Sequence, residues 1–183
     1  MCIRDRCQGK KIKNTVFSVD DLAGKTIGVQ LGTTGDTLVS DYETDGSGTT
    51  VSRYNKGSDA IQALKQGKAD AVVIDEQPAL AFVKANPDLT ILEEEFANED
   101  YAICVAKGNS LTAKLNEAIE VLMADGTIQK LIDDYVGDNA TFSGYKSPDG
   151  ISRTNGTLIM ATNAYFKPYE YYEGGSIIGL SLI

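Results

Sequence analysis

Short apolar runs alternate with amphipathic stretches over roughly the first hundred residues, and helical periodicity takes over afterwards. Thr26-Ile27-Gly28-Val29-Gln30 is such a run, and 50–54 and 70–74 repeat it. Runs this brief, bounded by Gly, Lys and Asp, predict strands. Between them the apolar positions shift to helical spacing. One helix is predicted from about 35 to 42. Another, capped by Ser58, carries Ala60, Ile61, Ala63 and Leu64 on one face and stops at Gly67. Pro78 suits the first residue of a third helix over 78–84. Residues 20–25 read as one helical turn closed by Gly24, residues 43–49 as a turn cluster, and 90–92 and 101–106 as further short strands. The β-α-β-α-β alternation predicts an α/β fold: a parallel-rich, doubly wound sheet with helices on both faces.

From Ser110 the pattern is purely helical. Leu111, Leu115, Ile119 and Leu122 recur every three or four residues, Asp125-Gly126 interrupts, and Ile128, Leu131, Ile132 and Tyr135 line a second helix. These helices follow the sheet without adding a strand to it. Residues 138–156 are rich in Asp, Asn, Ser, Gly and Pro and read as a linker. A strand is expected over 158–162, followed by the aromatic cluster Tyr165, Phe166, Tyr169, Tyr171 and Tyr172.

Composition narrows the chemistry. The 183 residues carry a formal charge of −9, which disfavours nucleic acid and anionic membrane surfaces as partners. There is no histidine, so Ser–His and Cys–His nucleophile pairs and His-ligated zinc are excluded. Cys2, Cys7 and Cys104 have no metal-ligand spacing, and Cys104, inside an apolar run, is expected to be a buried, inert thiol. No metal and no cofactor are expected: no Gly-Lys-Ser/Thr makes a P-loop, and Gly28 and Gly32 do not form a dinucleotide fingerprint. No stretch approaches the roughly 18 apolar residues of a membrane span. The opening residues lack the apolar core of a secretory signal.

The candidate chemistry lies at two strand ends. After 26–30 the chain enters Leu31-Gly32-Thr33-Thr34-Gly35-Asp36, a Gly/Thr turn that opens a helix. Such a turn presents unpaired N–H groups and hydroxyls at the positive end of the helix dipole, which suits an anion. Strand 70–74 ends in Asp75. In a doubly wound sheet these two strands are neighbours at the point where chain direction reverses, and ligands bind outside their carboxyl ends. Thr33, Thr34 and Gly35 would then hold a carboxylate and Asp75 an ammonium group: together, a zwitterion such as a free amino acid. Plainer roles stay open for each residue. The glycines serve turn geometry, Thr33 or Thr34 caps its own helix, Asp36 is a first-turn helix acid, and Asp75 caps the helix at Pro78.

The run from Asp20 to Gly137 resembles the second lobe and return segment of family 3 bacterial extracellular solute-binding proteins, the amino-acid-binding components of ABC importers. The matching pieces are Asp21-Leu22-Ala23-Gly24-Lys25, Gln30-Leu31-Gly32-Thr33-Thr34-Gly35 and Ala69-Asp70-Ala71-Val72-Val73-Ile74-Asp75. Tyr101-Ala102-Ile103-Cys104-Val105-Ala106-Lys107-Gly108 and Asp125-Gly126-Thr127-Ile128 complete the set. The resemblance implies an incomplete lobe of the type II periplasmic-binding-protein fold. It places the ligand's α-carboxylate on Thr34 and Gly35 and its α-amino group on Asp75. Gln30 stands where some relatives put a basic residue facing the ligand. Residues 158–179 resemble the opening of the same family's first lobe, with Asn163 as a polar contact and Phe166 as an aromatic lying on the ligand.

The expected organisation follows from that resemblance. Residues 1–19 form an irregular leader, and 20–108 form the second lobe. The return helices take 109–137 and the linker 138–156. A second module begins over 157–179, making the parent a tandem binding protein. Met1 to Arg6 and the tail 180–183 resemble translated sequencing adaptor. Implied partners are an amino-acid ligand and an ABC permease in the membrane. The implied location is outside the cytoplasm, in the periplasm or at the cell surface, including a membrane-anchored parent. Two alternatives are carried: a ligand-sensing receptor domain, and a cyclohexadienyl dehydratase-like enzyme using Asp75 and Glu76 as acid and base without a histidine.

Overall fold

The computed structural model describes residues 2–5, 16–98, 100–136, 140–141, 149–152, 154 and 156–180. Cys7, most of the 138–156 linker and residues 181–183 lie outside them. The chain divides into two compact units, Met1–Glu99 and Asp100–Ile183.

In the first unit, β1 (Cys2–Asp5) and a 3-10 turn (Val19–Leu22) precede β2 (Thr26–Gln30). Then come α1 (Thr34–Thr44), β3 (Thr50–Tyr54), α2 (Gly57–Lys65), β4 (Ala71–Val73), α3 (Glu76–Ala85) and β5 (Leu89–Ile91). The five strands form one sheet in the order β3-β2-β4-β1-β5. β2 runs parallel to both neighbours, with Ile27 opposite Val51 on one side and Ala71 on the other. The crossover from β2 to β3 on one flank and on to β4 on the other is the predicted reversal point.

Alternation along β2 assigns the two faces. Ile27 and Val29 are fully buried with Val39 of α1, Val51, Ala71, Val73 and Leu22. Gly28 points the other way: an added Cβ would stand 3.2 Å from Val72 and 3.6 Å from Ala60 of α2. Helices therefore cover both faces, α1 on one and α2 on the other.

Several local expectations are corrected. The leader contributes a strand: β1 lies antiparallel between β4 and β5, pairing Ile3 with Val72 and Ile91. In that place it satisfies backbone groups that both neighbours would otherwise leave unpaired. Ser58 lies inside α2, whose N-cap position is Lys56. Pro78 is the third residue of α3, where its missing N–H is still one of the helix's unpaired donors.

The second unit contains α4 (Leu111–Ala124), α5 (Thr127–Tyr135), and a small antiparallel sheet of β6 (Tyr165–Phe166), β7 (Glu170–Glu173) and β8 (Ser176–Ile178). The two helices are separated at Gly126, whose φ of 79° needs a residue without a side chain. Rings cluster around the hairpin: Phe166 and Tyr169 are 6.0 Å apart and Tyr101 and Tyr169 4.8 Å. Lys167 Nζ sits 4.4 Å above Tyr171. Neither expected strand at 101–106 or 158–162 forms. Both runs are apolar and extended in pattern, but no strand among the described residues pairs with them. Ile103 and Ile159 are consequently exposed, the latter at 89%. Cys104 is exposed as well, not buried.

Candidate functional site

The turn after β2 is built by its own side chains. Gly32 takes φ 77°, which lets the chain reverse. Its N–H donates to Asp36 Oδ2 at 2.9 Å. Thr33 is the N-cap of α1: its Oγ1 accepts from the Asp36 N–H at 3.3 Å and donates to the Gln30 carbonyl at 2.9 Å. The Leu31 N–H is bound by the Tyr54 carbonyl at 2.8 Å. What remains is the pair of N–H groups at the first two positions of α1, Thr34 and Gly35. Neither has a protein acceptor among the described residues. Both lie at the positive end of an 11-residue helix.

Gly35 is tied to the neighbouring strand. A Cβ there would stand 3.3 Å from both the carbonyl oxygen and a methyl of Val73, the last residue of β4. Two residues beyond Val73 comes Asp75, half-buried at the N-cap position of α3. Its side chain makes no capping hydrogen bond to that helix. Gly35 thus packs against the end of β4, and Asp75 follows that same strand end. The two N–H groups, with no protein acceptor among the described residues, suit an anion, and a carboxylate suits a cation.

Gln30 spends its side-chain oxygen inside the protein. It is 3% exposed, and its Oε1 accepts the Gly57 N–H at 3.0 Å. It thus supplies the cap of α2 that Ser58 was expected to provide, reaching across from β2. Asn163 and Phe166 belong to the second unit. Asn163 is exposed with its Oδ1 accepting from the Tyr165 N–H at 3.1 Å, and Phe166 is half-buried against Tyr169. Glu76, the other carboxylate weighed as an acid or base, is an exposed first-turn residue of α3. Among the described residues no group of three His, Cys, Asp or Glu side chains could hold a metal ion, and no helix is long and apolar enough to cross a membrane.

One contributor was missed from the sequence. Arg53 of β3 donates from Nε to Asp36 Oδ1 at 2.7 Å, and from its second terminal nitrogen to Ser40 Oγ and Glu43 Oε2, each at 2.8 Å. The Arg53 hydrogen bond holds the Glu43 carboxyl below its usual range, and the two acids push the guanidinium further up. A signal existed. Arg53 has the parity of buried Val51, so it points to the α1 face, where the acidic residues Asp36 and Glu43 of that helix offer it partners.

No family model matches the chain. Over 135 residues it is 33% identical to the L-cystine-binding protein TcyJ of Escherichia coli strain K12, an alignment covering 70% of this chain and 48% of that protein. It is 33% identical over 136 residues to the putative amino-acid ABC transporter-binding protein PatH of Vibrio harveyi, covering 72% and 54%. Among solved structures, an ancestral arginine-binding protein bound to arginine superposes with a TM-score of 0.64 at 40% identity, covering 74% of this chain and 59% of that one. The chain spans about half the length of the curated relatives it matches. At that identity and TM-score, the incomplete α/β lobe expected from the sequence is the fold shared with the arginine-binding protein.

Proposed function

The chain belongs to the family 3 extracellular solute-binding proteins of amino-acid ABC transporters, and on that premise we propose that its first unit captures a free amino acid. The observation that carries this reading is the Thr34 and Gly35 N–H pair, without a protein acceptor among the described residues, packed against the end of β4, the strand that Asp75 follows. The ligand's α-carboxylate accepts from the two amides and from the Thr34 hydroxyl. Its α-ammonium donates to Asp75. Each charge-assisted bond contributes about 1.5–3 kcal/mol, so losing one weakens binding by roughly ten- to a hundredfold. The Thr33 hydroxyl, engaged within the protein, shapes the turn, and Gln30 Oε1 caps α2.

The whole protein is read as the substrate-binding component of an importer, working outside the cytoplasmic membrane. It delivers ligand by closing two lobes and docking on a membrane permease. No chemical step is assigned to it. Two of the relatives are an L-cystine-binding and an arginine-binding protein, which makes these amino acids the first probes.

The test is a set of titrations followed through the Thr34 and Gly35 amide resonances. L-Arginine and L-cystine should shift both. Agmatine, which lacks the carboxylate, should leave them unmoved. Nα-acetyl-L-arginine, which lacks the ammonium, should bind the native chain far more weakly than L-arginine, and D75A should erase that preference. Resonances that move equally with agmatine and arginine, or with none of these compounds, overturn the reading.

A further inference from the structure

We propose that Arg53 is a positioning residue for the anion seat, neutralising Asp36 so that the first turn of α1 stays attractive to a ligand carboxylate. This rests on Thr34 and Gly35 being that seat. Asp36 is the third residue of α1, one turn position away from the two unpaired amides. A carboxylate there is drawn to the same positive helix end that would draw a ligand, and so competes with it. Its side chain is only 10% exposed, so water screens it poorly. Yet it cannot simply be dispensed with, because its Oδ2 holds the Gly32 N–H and with it the turn.

Arg53 resolves the conflict. Its Nε meets Asp36 Oδ1 at 2.7 Å, opposite the oxygen committed to Gly32. The guanidinium is fixed along α1 by Ser40 Oγ and Glu43 Oε2. Ser40 Oγ in turn donates to the Asp36 carbonyl at 2.7 Å, and Glu43 Oε1 accepts the Val51 N–H at 3.3 Å. One cation thus lies across the helix from its first turn towards its last and ties it to β3. With Arg53 present, the cluster of Asp36, Glu43 and Arg53 carries one net negative charge. Without it, two negative charges lie along the helix that presents the seat.

The experiment is calorimetric titration of the full chain with L-arginine, L-histidine and L-cystine at low ionic strength. The amide spectra of β2 and β4 report folding of every variant. R53M should weaken binding of whichever probe the native chain takes by about tenfold. R53M/D36N should recover to within about threefold of native, since an asparagine oxygen still accepts from Gly32 and carries no charge. D36N alone, with Arg53 in place, should bind as tightly as native or up to about threefold tighter. A purely structural role would not produce rescue by a second substitution. If the native chain binds and R53M binds equally well, or the double variant is as weak as the single one, the inference falls and the amino-acid reading stands. Should R53M fail to fold, D36N decides: a folded D36N that binds more weakly than native overturns the inference. If the native chain binds none of the three probes, the reading falls and takes the inference with it.

Discussion

Helices α2 and α4 have similar amphipathic patterns and opposite fates. α2, nine residues long, buries Ala60, Ile61, Ala63 and Leu64 against the sheet. α4, with 14 residues and a regular stripe of Leu111, Leu115, Ile119 and Leu122, leaves that stripe only half-buried. The same contrast runs through the strands. Thr26–Gln30 becomes the centre of a sheet, whereas the equally apolar 101–106 and 158–162 remain outside any ladder. Sequence period specifies which face an element would bury. It does not supply the layer to bury it against, and most helix stability in proteins comes from that layer.

The largest consequence is in local stability. Hydrogen exchange should find the amides of Ile27, Val29 and Val72 protected at close to the global unfolding level of the first unit. Amides of α4 should exchange faster by roughly a hundredfold or more. Comparable protection in α4 and β2 would break the contrast outright.

Paired substitutions sharpen it. Ile27→Ala removes a fully buried side chain and should cost about 2–5 kcal/mol, measured by urea unfolding of first-unit resonances. Ile119→Ala, half-exposed on α4, should stay within about 0.5 kcal/mol, because alanine's helix propensity offsets the little packing lost.

A subtler pair concerns the start of α2. Gln30→Leu leaves the buried Gly57 N–H without its acceptor and should cost about 1–3 kcal/mol. Ser58→Ala should change stability by less than about 0.5 kcal/mol, since its hydroxyl is not the cap. The reverse order in a urea titration would restore the local capping rule.

These pairs also mark what was legible. The three parallel strands, the two faces of β2, and the breaks at Gly67 and Gly126 follow from period and glycine placement, and the structure has them. The parallel pairing of β2 with β4, which puts the end of each strand beside the other, needs only the doubly wound rule. The misses share one cause: a partner distant in sequence. Gln30 caps a helix 27 residues away, Arg53 reaches Asp36 17 residues back, and β1 fills a slot between strands about seventy and ninety residues on. No local window contains those pairs. Cys104 and Ile159 fail for the converse reason, their apolar context having no neighbouring strand to bury it.

The smallest expected effect compares two aspartates, half-buried Asp21 and exposed Asp125. In the first unit, Asp21 Oδ2 accepts from the N–H groups of Phe17 and Ser18 at 2.8 and 3.1 Å, and these bonds hold its carboxyl below the usual range. In the second, a hydrogen bond from Thr127 does the same to Asp125 at the start of α5. A depressed carboxyl favours the folded state above the unfolded pKa, and that contribution disappears as pH falls through the lower folded value. Both aspartates should therefore lose their stabilising effect below about pH 4. The readouts should differ. Asp21 anchors the segment between buried Val16 and Leu22, so its protonation should lower the melting temperature of the first unit as a whole. Glu43 and Asp45 are depressed in the same unit, so D21N should remove only part of that acid slope. Asp125 supports the first turn of a helix that buries only Tyr135, so its protonation should loosen that turn alone. An acid titration of D21N and D125N, followed residue by residue, separates the cases: a cooperative loss in the first unit against a shift confined to the amides around Thr127. If D125N lowered the acid stability of the second unit as a whole, α5 would be part of a cooperative core, and exposure would no longer distinguish the two regions.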